Sequence, residues 1–174
     1  MILMQHQGKK AMVMIEDLYN DYEFIYPYYR LLEAGLEVQV VGPEAGKGYA
    51  GKSGTTARST LSADAADAAQ FDVLVIPGGY APDHMRRHRS MVELVRTMME
   101  RDKVVAAICH AGWMLASAKI LQGKKMTSFF AIKDDMVNAG ADWVDQEVVV
   151  DGKLVTSRTP DDLPAFMRSI LELV

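Results

Sequence analysis

The sequence predicts an α/β fold, a doubly wound and mostly parallel sheet with helices on both faces, and three observations carry that expectation. Short apolar runs rich in β-branched residues alternate along the chain with longer stretches spaced at three and four residues. The runs are apolar almost throughout, as strands covered on both faces require. Gly, Pro and Asp punctuate the boundaries. With 174 residues and 49% hydrophobic content, the chain can bury one substantial core and is too short for two comfortable domains. Residues 10–174 are therefore expected to form one domain after a flexible tail of residues 1–9.

The elements follow in order. Ala11 to Ile15 reads as a short buried strand, and Tyr22 to Ala34 as a helix stopped at Gly35, a natural C-terminal cap. Leu36 to Val41 is the second strand, and a Gly-rich stretch leads to a third, Val73-Leu74-Val75-Ile76, which ends in Pro77-Gly78-Gly79. A helix is expected from about Asp83 to Glu100, with Met91, Val92, Val95, Met98 and Met99 on one face as core fillers. The strand Val104 to Ile108 ends at Cys109, and a helix starts near Trp113. Lys125 to Ser128, a helical Ile132 to Ala139, and the strand Glu147 to Val150 come next. Asp151-Gly152 signals a hairpin into Lys153–Ser157, and a closing helix begins near Pro160-Asp161 with Leu163, Phe166, Met167, Ile170, Leu171 and Val174 on one side. In such a fold ligands bind at the carboxyl ends of the strands, where Ile15-Glu16, Pro77-Gly78-Gly79 and Cys109-His110 would gather.

Composition excludes several classes. The formal charge is -4 with basic residues scattered, which gives no footprint for nucleic acid or an anionic membrane. One cysteine cannot form an internal disulfide, and no Cys/His spacing resembles a zinc site. His84 and His88 stand at i,i+4, but nothing acidic flanks them in sequence, so they read as a solvated pair; no metal is expected. Met1 to Met4 is too short an apolar stretch for a signal peptide or a membrane span, which points to the cytoplasm.

Gly46-Lys47-Gly48-Tyr49-Ala50-Gly51-Lys52-Ser53 satisfies the P-loop pattern letter for letter. Its context argues against nucleotide binding. The preceding strand ends at Val41, four residues short of Gly46, and the β-branched, Gly-broken residues that follow form no helix whose N-terminus could face a phosphate. A surface excursion with a small β-ribbon is expected instead.

Cys109 closes an apolar run and precedes His110, Ala111 and Gly112. One reading is an inert core thiol, since free Cys is among the most buried residue types. The other is a nucleophile on a sharp strand-to-helix turn, its thiolate favoured by the helix dipole and by an adjacent imidazolium.

Five blocks in register decide which known family the chain resembles: Tyr22 to Leu31, Ile76 to Asp83, Ala107-Ile108-Cys109-His110, Ile132 to Asp135 with Asn138-Ala139-Gly140, and Glu147 to Gly152. Over about residues 10–174 they resemble the PfpI-type intracellular protease branch of the ThiJ/PfpI superfamily, which also holds glyoxalase III enzymes and the Parkinsonism-associated deglycase. The resemblance implies a flavodoxin-like, class I glutamine amidotransferase-like sheet, no cofactor, and a homo-oligomer, a dimer at least and up to the hexamer of PfpI proteases.

The resemblance also assigns roles. Cys109 falls at the nucleophile, His110 at its adjacent histidine, and Glu23 at the glutamate that hydrogen-bonds the sulfur. Gly78, Gly79 and His110 supply backbone N–H groups for an oxyanion hole, and Tyr80, Trp113 and Phe129 line the substrate pocket. Four departures stand out. Asp83 replaces a glutamate that orients the histidine across a subunit interface, and Asn20 replaces a second glutamate. Phe129 stands where peptidase-like members carry a tyrosine, and Ala111-Gly112-Trp113 brings an indole close to the pocket. The leading expectation is a cysteine-dependent enzyme acting on small reactive carbonyls, as a cofactor-free glyoxalase or a deglycase. A PfpI-type cysteine peptidase is the alternative, and an oxidation-sensing stress protein without turnover is a third.

Overall fold

The computed structural model describes residues 5–174. Residues 1–4 of the expected tail lie outside the described residues. Residues 5–8 form a turn instead of a loose end, with the His6 N–H donating to the Ala34 carbonyl and the Lys9 N–H to that of His6.

The chain then alternates strand and helix. β1 (Lys10–Met14) leads to α1 (Asp21–Glu33) and β2 (Glu37–Gly42). β3 (Gly48–Ala50) and β4 (Thr56–Arg58) form a separate antiparallel ribbon, followed by β5 (Leu61–Ser62). β6 (Val73–Ile76) is followed by α2 (Ala81–Met85), α3 (Arg89–Glu100), β7 (Val104–Ile108) and α4 (Gly112–Ser117). β8 (Lys125–Met126), α5 (Lys133–Asn138), β9 (Asp142–Trp143), β10 (Val148–Asp151), β11 (Leu154–Ser157) and α6 (Leu163–Leu173) complete the order.

The main sheet runs β10-β11-β7-β6-β1-β2-β5 and is parallel except for β10. Leaving out the short edge strands, its sequence order is 2-1-3-4-5, the flavodoxin-like arrangement. The direction of winding reverses between β1 and β6. Right-handed crossovers then place α1 on one face and α3 on the other, with α6 packing beside α1 and α4 beside α3. Every residue of β6 and β7 is buried, which is why these strands are apolar runs and not alternating patterns. Among the described residues no helix is long and apolar enough to cross a membrane.

Three local expectations change. The helix expected from Asp83 to Glu100 is broken into α2 and α3, with His88 in extended backbone (φ -101°, ψ 111°) ahead of α3. His84 and His88 therefore do not share a helix face; His88 Nε2 instead lies 3.0 Å from Oε2 of the buried Glu16, an acid remote in sequence. The hairpin loop is Gly152-Lys153, because Asp151 pairs with Leu154, and Gly152 has φ +60° at the first central position. The P-loop lookalike, by contrast, forms the expected ribbon, β3–β4, with no helix at its end.

Candidate active site

β7 delivers the chain to a bend that only a strained residue can make. Cys109 has φ +62°, left-handed backbone that costs a non-glycine residue about 1–3 kcal/mol. A single 3-10 turn (Cys109–Ala111) follows and leads into α4. A side chain on so sharp a strand-to-helix turn is thrust out of the sheet toward the crevice at the strand ends. Cys109 is 8% exposed, so the surroundings built by other segments set its chemistry.

Glu23 comes from the first turn of α1. Asn20 caps that helix, its side-chain oxygen accepting the N–H groups of Tyr22 (3.1 Å) and Glu23 (3.3 Å). The capped turn directs Glu23 into the interior, where it is fully buried. Oε2 accepts the Gly78 N–H at 2.8 Å, while Oε1 finds no hydrogen-bond geometry with Cys109 or any other group. Burial pushes the carboxyl from its ordinary 4.5 up to about 7, against the opposing pull of the Gly78 N–H, the neighbouring thiol and the charge of Lys52. The carboxyl and the thiol lie close enough for each to perturb the other.

The same burial, reinforced by the Glu23 charge, pushes the Cys109 thiol up to about 12, although the Gly79 and His110 N–H groups favour the thiolate. The expected activation by helix dipole and imidazolium is not what the site provides. α4 is only six residues long, and burial together with the Lys52 charge holds His110 below the ordinary histidine range, so the imidazole is neutral near pH 7. His110 Nδ1 lies 3.3 Å from Sγ. The ring is stacked on Phe129 (4.9 Å between centroids, 28°) and meets the edge of Trp113 (5.2 Å, 63°). The Trp113 indole N–H donates to Asp135 at 2.8 Å, which fixes the plane of that wall.

The glycine pair is required by space. A Cβ on Gly78 would lie 2.6 Å from Glu23 Oε2 and 2.7 Å from Cys109 Cβ. Gly79 has φ +79°, and a Cβ there would sit 2.5 Å from the backbone of Leu18 and Asn20. Among the expected oxyanion donors, Gly78 drops out, because its N–H is occupied by Glu23; the Gly79 and His110 N–H groups remain beside the sulfur. Tyr80 is exposed at the rim, and Phe129 is tied to the centre by its N–H donating to the Cys109 carbonyl at 3.1 Å. Asp83 does not meet His110 within the chain. It pairs with Arg87, two residues past the end of α2.

Sequence reasoning missed Lys52 as a site residue. Its ammonium sits 4.7 Å from the centroid of the Tyr80 ring, and its charge is felt by both Glu23 and His110. The only sequence signal was the P-loop lookalike, which suggested a different chemistry. Among the described residues no group of three or more His, Cys, Asp or Glu is placed to hold a metal ion.

A buried acid, a positive-φ cysteine and a glycine pair joined in this way invite comparison with known proteins. The sequence profile of the DJ-1/PfpI family matches residues 9–173. The chain belongs to the DJ-1/PfpI family. Among its relatives, a deglycase of Pyrococcus abyssi is 45% identical over 165 residues, covering 95% of this chain and 99% of that protein. Protein/nucleic acid deglycase 2 of Escherichia coli is 44% identical over 169 residues, covering 96% and 98%. Among solved structures, a two-domain protein of Anabaena variabilis with DJ-1/ThiJ/PfpI-like and ferritin-like domains superposes with a TM-score of 0.94 at 45% identity. That match covers 95% of this chain, which spans 48% of the two-domain protein. As a member of the DJ-1/PfpI family, the chain places its own Cys109, Glu23 and Gly78 at one point where three separate crossover segments end.

Proposed function

We propose that this protein is a cysteine-dependent enzyme of reactive carbonyls, a deglycase that removes 2-oxoaldehyde adducts from amines and thiols and, with free 2-oxoaldehyde, a cofactor-free glyoxalase. The observation that carries this reading is the buried Glu23 carboxyl, held near pH 7 against the Cys109 thiol. Sulfur attack on an aldehyde needs a group that removes the thiol proton and then moves a proton between neighbouring carbons and oxygens. A carboxyl that titrates near neutrality does both.

The steps follow from the residues. Within the site the adduct loses its amine or thiol by reversal of carbonyl addition, the hydroxyl proton passing to the departing nitrogen or sulfur, which regenerates the aldehyde. Ionised Glu23 takes the thiol proton as Sγ forms a bond to the aldehyde carbon, and the carbonyl oxygen gathers negative charge beside the Gly79 and His110 N–H groups. Once Glu23 is protonated, the charge that opposed the thiolate is gone, so the two groups never need to be anionic together. Glu23 hands its proton to the former aldehyde oxygen and then carries a proton from the former aldehyde carbon to the adjacent ketone oxygen. The enediol that results collapses to a 2-hydroxyacyl thioester. Water hydrolyses it to the 2-hydroxy acid and restores the thiol.

The peptidase reading has one observation in its favour, the 3.3 Å contact between Sγ and His110 Nδ1. A peptidase also needs the imidazole oriented by a carboxylate, and in this chain Asp83 is turned to Arg87. It would serve only across an interface, in the homo-oligomer that the family resemblance implies.

The test is glutathione-free consumption of methylglyoxal, and of its N-acetylcysteine adduct, with lactate detection. The wild-type protein should turn over both, and Cys109→Ser neither. Turnover that survives Cys109→Ser overturns the reading, as does a wild-type protein that cleaves peptides and leaves both carbonyl substrates untouched.

A further inference from the structure

Lys52 sits in the turn between β3 and β4, and the fold spends a buried acid on holding that turn. Asp21, 5% exposed, accepts the Ser53 N–H at 2.8 Å and the Thr55 N–H at 3.0 Å, and it also takes the Thr55 hydroxyl. A Cβ on Gly51 would lie 2.5 Å from the same carboxylate, so the turn is pressed against it. The Lys52 N–H itself donates to the Tyr19 carbonyl at 2.9 Å. Tyr19 lies in the segment that bridges to Gly79 and runs into α1, so the backbone carrying Lys52 is registered against the backbone carrying Glu23 and Gly79.

The side chain is directed with equal economy. Its ammonium lies over the exposed Tyr80 ring, one residue after Gly79, and its charge lowers the proton affinity of Glu23 on one side of the sulfur and of His110 on the other. Among the described residues Lys52 makes no ion pair, whereas Lys47 on the same ribbon is paired with Glu44 at 3.1 Å. A cation so placed and without a carboxylate partner offers its charge to whatever approaches Cys109.

We propose that Lys52 is the anion-recognising residue of this site, so that preferred substrates carry a carboxylate or phosphate close to the reacting carbonyl. This rests on the carbonyl reading for its substrates, but the anion preference itself is a property of Cys109 and its mouth. Adducts on free amino acids and on small acidic thiols fit that class better than adducts on neutral amides.

Alkylation of Cys109 by iodoacetate and by iodoacetamide tests the preference without any turnover. Both reagents form the same S–C bond with loss of iodide and draw on the same thiolate fraction, so their rate ratio cancels changes in thiol ionisation. Lys52→Met should lower the iodoacetate-to-iodoacetamide ratio by about two- to fivefold, the scale of one exposed charge pair. Lys47→Met, a charge change on the same ribbon, should leave it unaltered. A ratio equal in wild type and Lys52→Met overturns the proposal, as does an equal fall in Lys47→Met. In parallel, kcat/KM is compared for the methylglyoxal adducts of N-acetylcysteine and N-acetylcysteine amide, which differ in a carboxylate. Wild type should favour the anionic adduct and Lys52→Met should lose that preference. A ratio that falls while neither adduct is turned over keeps the anion site and sinks the deglycase reading. Turnover with an unchanged ratio does the reverse.

Discussion

The inner and outer sides of Cys109 are built on opposite physical principles. On the inner side, Glu23 is fully buried, bonded to a backbone N–H, and flanked by a glycine whose missing Cβ gives it room. On the outer side, His110 is partly exposed, stacked on Phe129 and edge-on to Trp113, and Lys52 lies over the neighbouring Tyr80 ring. Burial raises the proton affinity of the acid and lowers that of the base, so around pH 7 Glu23 is poised between its two forms while His110 is neutral. The inner side is buried and suits proton transfer; the outer side is where substrates can be told apart.

The comparison breaks most completely at Glu23. Glu23→Gln keeps an oxygen for the Gly78 N–H but cannot accept a proton, and kcat/KM on methylglyoxal should fall by about a hundredfold or more. The same variant tests the electrostatics through stability. The folded chain holds the Glu23 proton more tightly than the unfolded chain does, so this stabilisation is complete below pH 4.5 and is lost as pH rises through about 7. The loss amounts to about 3 kcal/mol. Urea unfolding between pH 5 and 8 should show that decline in the wild type and a flatter curve in Glu23→Gln. An identical decline in both proteins would mean that Glu23 is not the group that titrates.

Gly78→Ala attacks the inner side sterically. The new methyl must displace Glu23, Cys109 or the Ile108 carbonyl, each within 2.9 Å of it, and should cost about 2–3 kcal/mol together with most of the activity. Gly48→Ala is the contrast, since its Cβ meets nothing within 4 Å and its φ is not positive; stability there should change by about 0.5 kcal/mol or less. On the outer side, His110→Ala sharpens the functional choice. If Glu23 carries the proton, carbonyl turnover should fall by only about tenfold, since the imidazole is neutral and the His110 N–H remains. A peptidase would lose its general base and with it essentially all cleavage.

The inner side was largely legible in the sequence and the outer side was not. Strand runs buried on both faces leave unbroken apolar patterns, so β6 and β7 could be placed, and Cys109 with the glycine pair at their ends followed. Asn20 and Glu23 in one first turn also have a local signature. What could not be read was which glycine N–H Glu23 would occupy, because both are equivalent until the φ of Gly79 is known. The protonation of Cys109 was misjudged for a related reason: helix dipole and neighbouring histidine are visible locally, while the burial that outweighs them is made by α1 and the β6 loop. Lys52 reaches the centre from a ribbon 57 residues before Cys109 in the chain, by way of contacts with Asp21 and Tyr19 that no pattern announces. The break between α2 and α3 has the same origin. Arg86-Arg87-His88 contains no helix breaker, and it is His88 turning to the buried Glu16 that accompanies the change of direction.

Asp83 gives the smallest expected effect and separates a property of the chain from one of an assembly. Within the chain its carboxylate is about half exposed and paired with Arg87 at i,i+4, an arrangement worth about 0.3–0.5 kcal/mol. Asp83→Ala should therefore lower stability by no more than that, and methylglyoxal turnover should stay within about twofold of wild type, because neither Glu23 nor the Gly79 and His110 N–H groups depends on it. A far larger loss of turnover would require the carboxylate to act somewhere its own chain does not take it. Sedimentation of the variant alongside the wild type then decides the cause: an intact oligomer with lost activity would place Asp83 on a neighbouring His110, while dissociation would make it an interface residue. Unchanged turnover in a protein of unchanged size would mean that catalysis does not draw on Asp83 of either its own chain or a neighbour.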